Sequence, residues 1–184
     1  MDSTKAEMLS QLQSKISLFE IPNFFYFTVF EFRENKDEII EHINRNFKTP
    51  IIVRSSSIFE DKNDVSAAGE FESVLDVDPN DELAVNNSIN IVIESYCNKK
   101  TDDNQIIIQE MVKSSSMSGV IFTHDLNSGA PYYVINYDDQ SGSTDTVTSG
   151  NSEYSNRTLY VHRNETKNLQ SSRFITLLKA VNEL

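Results

Sequence analysis

The feature that most restricts the fold of this chain is an irregular succession of short β-forming runs and amphipathic stretches. β-branched and aromatic residues cluster at 24–32, 51–53, 71–77, 105–112, 118–122, 132–137 and 158–162, each run having the length of a strand. Between them, apolar residues fall at helical spacing: Met8, Leu9, Leu12, Ile16 and Leu18 over 4–18, Ile39, Ile40 and Ile43 over 36–46, and Leu83, Val85, Ile89, Val92 and Ile93 over 81–96. A further helical stretch covers 169–181. Strict strand–helix alternation is missing, which predicts an α+β fold and not a wound parallel sheet. No segment repeats at a fixed period, and 184 residues suffice for one domain or two small lobes.

Charge narrows the partners. The formal net charge is −12 and no stripe of Lys and Arg is present, which disfavours a nucleic-acid partner on electrostatic grounds. No apolar run approaches the roughly 20 residues that span a bilayer, and the N-terminus lacks the pattern of a secretory signal. Cys97 is the single cysteine, which rules out an intrachain disulfide or a cysteine zinc cage. These features predict a cytoplasmic protein without nucleic-acid or membrane partners.

The chemistry-bearing stretch begins where Ile51-Ile52-Val53 delivers Arg54 into SSSIFEDKNDVSAAG, a loop by composition from Ser55 to Gly69. A guanidinium fixed just past a strand can fork onto phosphate oxygens, with serine hydroxyls and loop N–H groups as further donors. The same arginine can instead pin the loop through Glu60 or Asp61, and spacing alone leaves both readings open. No Walker or Rossmann glycine loop occurs. The adjacent pair Asp138–Asp139 reads as a solvated turn in preference to a metal site. Cys97 lacks the cationic surroundings of a reactive thiol.

The segment IIVRSSSIFEDKNDVSAAGEFESVLDV resembles the N-terminal ATP-binding domain of phosphoenolpyruvate synthase and pyruvate phosphate dikinase: Val53-Arg54-Ser55-Ser56, Glu60-Asp61, Ala68-Gly69 and Leu75-Asp76-Val77 stand at that family's spacing. Ile106 to Gly129 is similar to its Val-Gln-x-Met-Val and Ser-Gly-Val-x-Phe-Thr stretches, and Val147 to Arg163 to its Val-x-Ser-Gly region. Lys5-Ala6-Glu7 and Leu9 are similar to its Gly-Gly-Lys-Ala-x-Asn-Leu, with Ser3 and Thr4 in place of the glycines.

The resemblance implies an ATP-grasp-like, two-lobed nucleotide-binding fold: residues 1–112 as the first lobe with the Val-Arg-Ser-Ser loop and hinge strand, residues 113–184 as a second, incomplete lobe. It implies that Lys5 and Arg54 contact phosphates, that Gly69 lets backbone approach the phosphate tail, and that Ser73 lies near the nucleotide. By the same resemblance Gln109 flanks the adenine, with backbone groups of Glu110, Met111 and Val112 facing its edge. No catalytic or metal-binding residue is assigned within the chain: the magnesium ligands and the phosphohistidine domain of such enzymes are expected outside it. The implied function is the ATP-binding part of a dikinase-type phosphotransferase. Its phosphoryl group would pass through a histidine, on a partner domain, to pyruvate or another small acceptor such as glutamine. As a kinase fragment it is expected to be inactive alone. The alternative is a stand-alone nucleotide-binding or regulatory module without catalysis.

Overall fold

The structure is a computed structural model and describes residues 3–57, 72–96, 102–142, 144, 147 and 157–184. The chain forms two compact units, Met1–Met111 and Val112–Leu184.

The first unit is built on a four-stranded antiparallel sheet in the order β1-β4-β2-β3, from Phe24–Thr28 (β1), Ile51–Ser56 (β2), Ser73–Val77 (β3) and Gln105–Glu110 (β4). Side chains alternate between the two faces of a strand, and the register makes the alternation agree across strands: Val53 stands opposite Ile108, and Phe27 opposite Ile106. That face, with Ile51 and Val77, packs against Lys36–Asn46 (α3) through Ile39, Ile40 and Ile43 and against Glu82–Ser95 (α4) through Val85, Ile89 and Val92. Each such side chain, fully buried, contributes about 1.5–3 kcal/mol, so this helix-covered face holds the unit together. The other face carries Ile52, Arg54, Ser56, Gln105, Ile107 and Gln109.

Local chemistry changed several boundaries. The run 24–32, expected as one strand, is strand only to Thr28 and then turns into Val29–Glu34 (α2). Thr28 and Glu31 form a capping box, each side chain bonding the other's backbone N–H; a satisfied helix start outweighs the β preference of Val29, Phe30 and Phe32. Ser55 and Ser56, expected in the loop, end β2 because Ile106 and Gln105 pair with them. The rest of that loop, with Glu60, Asp61 and Gly69, lies outside the described residues. The first helix is shorter than the pattern suggests, Lys5–Gln13 (α1). It buries Ala6 while Met8 and Leu18 remain exposed. Leu83, expected inside α4, is also exposed, since it belongs to the first turn, ahead of the face that meets the sheet.

The second unit is an antiparallel sheet of Ser118–Phe122 (β5), Tyr132–Asp138 (β6) and Arg157–His162 (β7) in that order. A short 3-10 helix, Arg163–Asn168, precedes Ser172–Val181 (α5). Phe174 and Leu178 of α5 pack on Tyr133, Ile135 and Val161. Gly119 is needed where β5 meets β6: a Cβ there would lie 2.2 Å from the Asn136 carbonyl oxygen. The whole is α+β, and no described helix is long and apolar enough to cross a membrane.

Candidate functional site

The helix-free face of the first unit collects the residues in question along two central strands. Arg54 stands beside Ser73 on β3 and Ile107 on β4; one step along, Ile52 stands opposite Gln109. Gln109 in turn neighbours Phe24 of β1, whose ring stacks with that of Tyr26 at 6.4 Å between centroids. Rows two residues apart lie about 7 Å apart along a strand. Gln109, Arg54 and Ser56 therefore mark three successive steps of one line, running from the Met111 end of β4 towards α1.

At the α1 end the face is closed by a buried polar cluster. Thr4 caps α1 in a box with Glu7 and its hydroxyl donates to Gln105 Oε1 at 2.6 Å. The Ala6 N–H donates to Ser56 Oγ at 3.0 Å. Tyr96, at the end of α4, reaches between the strand ends: its hydroxyl accepts from the Ser56 N–H at 3.1 Å and donates to the Gln105 carbonyl. Ser57 Oγ donates to Asn104 Oδ1 at 2.9 Å. Thr4, Ser56, Ser57, Asn104 and Gln105 are all buried. The hydroxyls of Ser56 and Ser57, read from the sequence as phosphate donors, are thus turned inward, because buried hydroxyls must find partners.

Arg54 differs from its neighbours. Its Nε is buried without a hydrogen-bond partner among the described residues. An orphaned buried donor costs about 1–3 kcal/mol. The side chain projects from a strand fixed on both sides, by β3 and β4.

At the opposite end, the Glu110 N–H bonds the Asn23 carbonyl at 2.9 Å and the Met111 N–H bonds the Pro50 carbonyl at 3.0 Å. Those two donors are engaged internally. Met111 Sδ accepts from the Asp76 N–H at 3.0 Å, at a bulge where Asp76 adopts φ 57°. Val112 is exposed and opens the second unit. Lys5 occupies the first position of α1, between Thr4 and Ala6. Sequence reasoning missed Gln105, Tyr96 and Phe24.

Asp138 and Asp139 are not a solvated turn. Asp138 is buried and its Oδ1 accepts from the N–H groups of Gln140 and Ser141 at 2.8 and 3.1 Å. Asp139 accepts from Arg157 and Arg173, each at 2.7 Å. No three His, Cys, Asp or Glu side chains gather to hold a metal among the described residues.

The α+β sheet of the first unit thus brings Arg54, Ser73 and Gln109 onto one face. The chain belongs to the family of the pyruvate phosphate dikinase AMP/ATP-binding domain, whose model matches residues 6–173. It is accordingly an ATP-binding domain of dikinase type. No curated protein sequence matches it significantly.

Proposed function

We propose that ATP lies along the helix-free face of the first unit, phosphates at Arg54 and Lys5 and base at Gln109. The observation that carries this reading is the buried, partnerless Nε of Arg54 on a line with Ser73 and Gln109. A fork of N–H donors suits phosphate oxygens. Ser73 adds a hydroxyl beside it, and Gly69 is assigned to the phosphate tail by family resemblance. Since the Glu110 and Met111 N–H groups are engaged, the base edge would be met by the Gln109 amide, by carbonyl groups of this segment and by the Val112 N–H. Phe24 offers an aromatic ring next to Gln109.

In this reading the two units are lobes of an ATP-grasp-type domain serving a cytoplasmic phosphotransferase. That enzyme would send a phosphoryl group through a histidine of another domain to a small acceptor such as pyruvate or an amino acid. Magnesium would neutralise the phosphates in such an enzyme; among the described residues no three His, Cys, Asp or Glu side chains gather to hold it.

Calorimetric titration of ATP into the chain and into Arg54→Ala tests the site. Wild-type binding with a loss of roughly tenfold to a hundredfold in the variant is expected from removing charge-assisted hydrogen bonds. Bound ATP should also stabilise the fold by about 2.7 kcal/mol at a hundredfold excess over Kd. Equal binding by both proteins would overturn the assignment.

A further inference from the structure

The polar cluster at the Ser56–Gln105 end joins four elements: the first turn of α1, the ends of β2 and β4, and α4 through its C-cap residue Tyr96. Thr4 is 3% exposed, Ser56 and Tyr96 0% and 1%, and Gln105 9%. A buried network of this kind holds one geometry only when its members are satisfied, and here the Gln105 amide is used at both ends. Its Oε1 accepts from Thr4 Oγ1 at 2.6 Å and its Nε2 donates to Glu7 Oε1 at 3.4 Å.

We propose that this cluster is a latch that fixes Lys5 at the phosphate end of the site, with Thr4, Ser56 and Gln105 as positioning residues. The inference rests on the reading of the helix-free face as the ATP site. Lys5 is flanked in sequence by the two residues whose bonds tie α1 to the sheet, Thr4 to Gln105 and Ala6 to Ser56. Ser56 is the next residue after Arg54 on the same face of β2, about 7 Å along the strand. The backbone of Lys5 is therefore held close to the Arg54 row before any ligand arrives.

The latch also deals with the one carboxylate in that turn. Glu7 accepts from the Thr4 N–H at 3.0 Å and from Gln105 Nε2, which keeps it in the cap. Without the latch, α1 would be a short N-terminal helix with a single buried side chain, Ala6. Isolated helices of this length are marginal in water, and a lysine on such a segment would have to be ordered at the moment of binding.

The test compares ATP with adenosine, which lacks phosphates, on the 184-residue chain and its variants. Thr4→Val and Lys5→Ala should each weaken ATP binding about tenfold, the worth of one hydrogen bond to a charged group, and leave adenosine binding unchanged. The double variant should bind ATP no more weakly than Lys5→Ala, because the two changes remove the same interaction. Thr4→Ser, which retains the hydroxyl, should restore tight ATP binding. Ser56→Ala removes the acceptor for Ala6 and a hydroxyl that reaches Gln105 Oε1 at 3.5 Å, and should reproduce the Thr4→Val effect even if the latter fails to fold.

Wild-type ATP affinity in folded Thr4→Val and Ser56→Ala, or full additivity in the double variant, would overturn the latch. Lys5→Ala binding ATP normally while Arg54→Ala loses it would also sink the latch and leave the site in place. Arg54→Ala binding ATP normally would remove the site reading itself.

Discussion

The two units spend their arginines differently. In the second unit Arg157 and Arg173 both bond Asp139. Arg163 forks onto the Thr123 carbonyl at 3.0 and 2.6 Å and lies over the Tyr133 ring. In the first unit Arg33 pairs with Asp102 and Arg45 with Glu41 at the surface, while Arg54 keeps a buried Nε without a partner among the described residues. Arginines with internal partners act as clamps between strands, helix and loop. The arginine lacking one stands on the face that no core helix covers. On the proposed reading, this contrast is one between structural cations and a recognition cation.

The comparison can be broken most severely at the strand pair that the second unit needs. Gly119→Ala would press a methyl group against the Asn136 carbonyl, and overpacking against backbone should cost about 3 kcal/mol. Denaturant unfolding followed separately in each unit should show loss of the second; an unchanged midpoint would mean that β5 and β6 can separate at little cost. Next comes the clamp. Asp139→Ala leaves Arg157 and Arg173 without their shared acceptor, and since both are about half exposed the expected loss is only about 1–2 kcal/mol. Arg54→Ala, measured without nucleotide, should change stability by less than about 0.5 kcal/mol. If Arg54→Ala proved the more destabilising of the two, the division between clamp and recognition would be wrong.

The smallest effect is in pH. Hydrogen bonds from Asn80 hold the Asp78 carboxyl below its ordinary range, and bonds from Ser128 and Asn127 do the same for Asp125. A depressed folded-state pKa means stability that is present above the unfolded value and fades as pH falls through the folded one. Both groups are exposed, one in each unit, so a slight and equal acid softening is expected. Carboxyl titrations followed by NMR should find both midpoints below the usual aspartate value; an ordinary midpoint would show that the turn is not formed in solution.

Much of the fold was legible. The spacing of Ile39, Ile40 and Ile43 marked α3, and the β-branched run at Gln105 marked β4, because long apolar periodicities survive any tertiary context. The split of the run after Thr28 was not read, although Thr28-x-x-Glu31 carries the capping signal. Exposed Met8 and Leu83 misled because apolar spacing says which residues share a helix face, not whether that face is covered. For the site, Arg54 and Gln109 were singled out by motif, yet nothing local to Ser56 or Ser57 indicated that their hydroxyls would be used up by Ala6 and Asn104.

What the sequence alone determined is most of the elements, the acidic and single-cysteine composition, and the family to which Arg54 and its neighbours belong. Those properties are written in residues close together along the chain. Only the tertiary structure decided that Arg54, Ser73 and Gln109 share one face, that Gln105 binds Thr4 across 101 positions of sequence, and that one arginine alone keeps its buried nitrogen unspent. Strand register and the satisfaction of buried polar groups are properties of pairs brought together from distant parts of the chain, and they come into being when the sheet closes.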